Sequence, residues 1–210
     1  MAGLRWVLAS MAVGLSLATS AAASTVIVDT GKPLHGVNYV LNATQSLAVE
    51  FNVTTAMTLT DLAGWMYGVN APGTFTVELR AGGNRPGAIL FSDTATANLP
   101  FALYGVHGES WLIGPGSYWL AFEVRPGQTL DGYMPTNPPS PLGPEAYSTF
   151  GTYVRLDSLN VGVRISGDLV TGLPEAQTWA LMIVGFGGLG AMLRRRKAHA
   201  ASLVRRIHGI

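Results

Sequence analysis

The sequence predicts an all-β fold, an antiparallel β-sandwich or jelly-roll-like domain, with one apolar helix at each end of the chain. Three observations carry this. Apolar residues between Ser24 and Val170 alternate with period two, the spacing of a strand with one face buried. The alternating runs are broken by glycine, proline and asparagine, and no amphipathic helical pattern interrupts them. The two long continuous apolar stretches lie at the ends.

Met1 to Ala23 has one early cation, Arg5, then an apolar run from Trp6 to about Leu17, then Ala21-Ala22-Ala23-Ser24. A charged start, an apolar core and a small-residue A-x-A site are the parts of a secretory signal peptide. Residues 1–23 are therefore expected to be removed, with cleavage specified by Ala21 and Ala23 and falling before Ser24.

Residues 24–170 form the expected exported domain. In Ser46–Val53, Leu47, Val49, Phe51 and Val53 point to one side. In Thr74–Arg80 the inward set is Phe75, Val77 and Leu79, against Thr76, Glu78 and Arg80. In Tyr118–Arg125, Tyr118, Leu120, Phe122 and Val124 oppose Trp119, Ala121, Glu123 and Arg125. Leu159, Val161, Val163 and Ile165 make a last stripe. Weaker strands are expected at Thr25–Asp29, Met57–Leu62, Ala88–Phe91 and Tyr104–Ile113. Pro126–Gly151 carries six prolines and reads as a stiff, extended loop.

The whole chain is +1, yet its bases cluster in the tail. Between Ser24 and Leu173 eleven acids stand against six bases, a net charge of −5. An acidic domain is a poor nucleic-acid partner. There is no cysteine, which excludes disulfides, thiol catalysis and thiolate metal sites.

The C-terminal segment 171–197 holds Pro174-Glu175, an uncharged apolar stretch from Ala176 to Leu193, then Arg194, Arg195, Arg196 and Lys197. Eighteen helical residues reach about 27 Å, enough to cross most of a hydrocarbon core of roughly 30 Å. The four cations resist translocation and keep residues 198–210 as a cytoplasmic basic tail. With an export signal at one end and this stop at the other, the middle is expected outside the cytoplasmic membrane.

Pro174-Glu175, the Thr178-Trp179-Ala180-Leu181-Met182-Ile183 run, the glycine-rich Gly185–Gly190 core and the arginine cluster, in that order, resemble the PEP-CTERM sorting signal. The same segment is also catalogued as the C-terminal part of certain ice-binding proteins. The resemblance implies a Gram-negative host making extracellular polysaccharide, passage through the secretion translocon, and recognition by exosortase, an integral-membrane transpeptidase-like enzyme. It assigns Pro174 and Glu175 to the sorting motif and Arg194–Lys197 to the membrane stop. Two departures bear on processing: the family's Pro-Glu-Pro-Ala is here Pro174-Glu175-Ala176-Gln177, and the tail runs on past the arginines. The middle, through Gly82-Gly83-Asn84-Arg85-Pro86-Gly87 and Gly116-Ser117-Tyr118-Trp119-Leu120, resembles exported choice-of-anchor domains.

No G-x-S-x-G elbow, P-loop, H-E-x-x-H or dinucleotide fingerprint occurs. His35 and His107 share no metal-ligand spacing. The sequence thus predicts a non-enzymatic protein of the cell surface or extracellular matrix, with no cofactor and no metal. A second reading is a carbohydrate-binding module contacting extracellular polysaccharide through exposed Trp119, Tyr133 and Tyr147. A third is an exported hydrolase with a carboxylate pair assembled by the fold.

Overall fold

The computed structural model describes residues 24–34 and 36–170, and this part is all-β. Its twelve strands are β1 (Thr25–Asp29), β2 (Asn38–Leu41), β3 (Gln45–Val53), β4 (Met57–Gly68), β5 (Gly73–Ala81), β6 (Ile89–Ala97), β7 (Ala102–Ile113), β8 (Gly116–Glu123), β9 (Gly132–Pro135), β10 (Glu145–Thr149), β11 (Thr152–Arg155) and β12 (Val163–Leu169). They form two sheets. The first runs β1-β12-β4-β9-β2 with β7 also paired to β4, and the second runs β11-β10-β3-β8-β5-β6. The registered strand pairs are antiparallel.

The inward stripes of both sheets meet in one apolar core, an arrangement consistent with a β-sandwich. Leu47, Val49, Phe75, Val77, Leu120 and Phe122 of the second sheet are fully buried against Leu59, Leu62, Met66, Met134, Val163 and Ile165 of the first. Gly64 marks a close approach: a Cβ there would sit 2.6 Å from Met134 Cε and 2.9 Å from Phe122 Cζ. A larger residue at 64 would have to displace the Met134 and Phe122 side chains.

Strand β4 is twice as long as its expected piece, and a bulge between Leu59 and Asp61 shifts its register against β7. Thr60 and Asp61 both face away from the core, after which the alternation resumes with the opposite parity. Leu62 and Met66 then point inward, and Trp65 and Tyr67 point outward, half-buried. The Pro126–Gly151 stretch is not a single extended loop. It contains β9 and β10, each paired within a sheet.

The stripe at Leu159–Ile165 is fully buried as expected, but the strand begins only at Val163. The residues before it are held by Glu145, a fully buried carboxylate on β10 that accepts the backbone amides of Asn160 and of Val161, the latter at 2.8 Å. Burial raises its pKa to about 7, against the lowering effect of those two amides.

Candidate functional site

The outer face of the second sheet is closed. Trp119 points away from the main core, as its place in the alternation requires, yet it is fully buried among Ala48, Ala121, Ala146 and Tyr153. The cover is the loop between β5 and β6, which folds back across β8. The Trp119 indole donates to Gly83 O at 3.2 Å, and Arg155 on β11 donates to Asn84 Oδ1 at 3.2 Å. Gly82 permits this fold-back, since a Cβ there would lie 2.2 Å from Ser117 O.

Beside Trp119 lies a charge lattice. Arg80 donates to Glu78 at 2.5 Å and to Glu123 at 2.9 Å, and Arg125 reaches Glu78. Tyr153 donates to Glu123 at 2.7 Å, and the Arg80 guanidinium lies over its ring at 5.2 Å. Burial is the main force raising the pKa of Glu78, with Glu123 adding to it, while Arg80 and Arg125 oppose the rise. Glu78 and Glu123 lie together on this face, each with an arginine partner. Their geometry suits packing, with no open acid facing a cleft. A second carboxylate pair forms where Asp93 on β6 meets Glu109 on β7, with partial burial and Asp93 raising the Glu109 pKa.

The outer face of the first sheet is different. Trp65, Phe101, Tyr67 and Tyr133 form a continuous row of rings, with centroid steps of 5.4, 6.3 and 5.6 Å. Tyr67 and Tyr133 are cross-strand partners of β4 and β9, which fixes their spacing. Lys32 sits at one end, its Nζ 5.5 Å from the Trp65 centroid and 5.1 Å from that of Phe101. The lysine is placed by the turn after β1. Asp29 Oδ1 accepts the Gly31 amide at 2.9 Å, Thr30 exchanges bonds with Val163, and Gly31 takes φ of 78°. Alongside the row runs an open groove of about 430 Å³, walled by Pro33, Leu34, Gly36, Asn38, Tyr67, Phe101 and Pro135.

Of the residues expected to contact glycan, only Tyr133 belongs to this groove's ring row. Trp119 is sealed beneath its loop and presents no free face. Tyr147 packs against the main core from β10. The three therefore share no platform. Ser24 is the first described residue, with its hydroxyl 2.8 Å from Thr60 Oγ1. Ala21, Ala23, Pro174, Glu175, Arg194, Arg195, Arg196, Lys197 and both expected terminal helices lie outside the described residues. Among the described residues, no group of three or more His, Asp or Glu side chains is placed to hold a metal ion. Trp65, Tyr67, Phe101 and Lys32 were not singled out by sequence. The Trp65-Met66-Tyr67 alternation was the available signal.

No protein-family model, curated protein or solved structure matches this chain.

Proposed function

We propose that this is an exported, non-enzymatic protein of the cell surface or extracellular matrix, delivered by an N-terminal signal and a PEP-CTERM-like C-terminal segment. One observation supports this reading beyond the sequence of the two ends. Among the described residues the strands run from Thr25 to Leu169, between the proposed cleavage site and the Pro174-Glu175 motif. Trimming at the two proposed sites would therefore leave every described strand whole. In this reading the translocon is the first partner and an exosortase-like membrane enzyme the second. Residues 176–193 lodge in the membrane, with Arg194–Lys197 as the stop.

The test is intact mass of the protein from its native host, with and without the exosortase. A chain running from Ser24 to near Glu175, seen only when the enzyme is present, is the expected result. An unchanged mass and location after replacing both Pro174 and Glu175 would sink the sorting assignment.

A further inference from the structure

We infer that the groove on the outer face of the first sheet binds an extended sugar chain carrying carboxylate groups, with its rings against Phe101, Tyr67 and Tyr133 and one carboxylate on Lys32. This site is independent of how the protein is exported or anchored.

The aromatic row supplies the first argument. Its rings are half-buried and held by neighbouring strands, so little side-chain entropy is left to lose on binding. Flat rings that are apolar on the face and polar at one tip suit a ligand with the same division. A pyranose has it, with C–H groups on its faces and hydroxyls around its rim. The Tyr67 and Tyr133 hydroxyls have no hydrogen-bond partner among the described residues, and the exposed Asn38 adds an amide on the groove wall. A wholly apolar ligand would leave these groups unmatched on desolvation. The groove volume of about 430 Å³ falls in the ordinary range of small-ligand sites.

Lys32 supplies the second argument and selects the charge. Among the described residues no carboxylate lies within 4.0 Å of its ammonium, a state it shares with Arg85, whereas Arg80, Arg125, Arg155 and Arg164 each hold an acid. The cation rests on two ring faces, which fix it at the end of the row while leaving its hydrogens to a ligand. A nucleic acid would also be anionic, but it would place a dense line of phosphates against a domain of net charge −5 with a single lysine to receive them. A sugar acid brings one charge per ring and stacking faces between charges.

The experiment is isothermal titration of the purified full chain with a β-1,4-linked tetramannuronate, and with cellotetraose as the neutral match. Saturable binding of the uronate, tighter than that of cellotetraose, is expected. Lys32→Met should weaken the uronate by about fivefold and leave the neutral tetramer unchanged. Phe101→Ala should weaken both by about tenfold or more. Circular dichroism and urea melts of each variant establish that it is folded. No saturable uronate binding, or uronate affinity that both folded variants retain, overturns the proposal. Cellotetraose bound as tightly as the uronate overturns the assignment of Lys32 to a carboxylate.

Discussion

The two outer faces use the same residue types to opposite ends. On the second sheet, Trp119, Tyr153, Arg80 and Arg125 are matched by Gly83 O, Glu123 and Glu78, and the loop between β5 and β6 covers Trp119. On the first, Trp65, Phe101, Tyr67, Tyr133 and Lys32 touch in a row, and Tyr67 and Phe101 line an open groove. What separates the faces is the pairing of charge: Arg80 and Arg125 on the second hold acids, and Lys32 on the first rests on rings alone. A closed face adds to stability, and an open one keeps its unmatched groups for a ligand.

That contrast can be broken by mutation, and the largest effect belongs to the closed face. Trp119→Ala should cost about 4 kcal/mol of unfolding free energy by urea denaturation, since it empties a fully buried indole site. Uronate affinity should not change while the protein is folded. Glu78→Ala should cost about 3 kcal/mol, because it removes the fully buried acid between Arg80 and Arg125 and leaves both cations to Glu123 alone. A loss under 1 kcal/mol for both would mean that the second face is no more sealed than the first.

Next comes Glu145, which sharpens the comparison by adding a buried acid with no basic partner. Its folded pKa, about 7, lies above the ordinary 4.5, so the native state binds the proton more tightly. Its contribution is fully present below pH 4.5 and is lost as pH rises through 7. Stability should therefore fall by about 2–3 kcal/mol from pH 5 to pH 8 on this account, and Glu145→Gln should remove that part of the slope. An identical slope in the variant would reassign the pH dependence to other acids. The smallest effect is on the open face: Phe101→Ala should cost only about 1 kcal/mol in the same melts, since the ring is half-exposed.

Much of the second sheet was legible because its central strands alternate cleanly. The expected inward residues of β3, β5 and β8 are those that meet in the core, and β1 falls on its expected bounds. The rest was hidden for physical reasons. The bulge at Leu59/Asp61 reverses the parity of β4, so Trp65 and Tyr67 fall out of step with Met57 and Leu59. Strands β2, β9, β10 and β11 have four or five residues each, too few to show a period, and two of them lie in the proline-rich stretch. The direction of Trp119 was readable from its own strand. Its burial was not, because the cover comes from Gly83 and from Tyr153 on β11, both distant in sequence. The groove escaped for the same reason: Lys32, Tyr67, Phe101 and Tyr133 come from four separate segments.

The place of β12 sets a timetable for the chain. It is the last of the described strands to be made, yet it lies between β1, the first of them, and β4 in the order of the first sheet. Once Gly68 has been synthesised, β4 must wait through about a hundred more residues for that neighbour, some 5–20 s at ordinary rates of elongation. The second sheet meets no such delay at its centre, because β3, β5 and β8 are all complete by Glu123. The nascent chain therefore spends its synthesis with one sheet able to assemble and the other lacking an inner strand. The first sheet gains that inner strand only when Val163–Leu169 arrives.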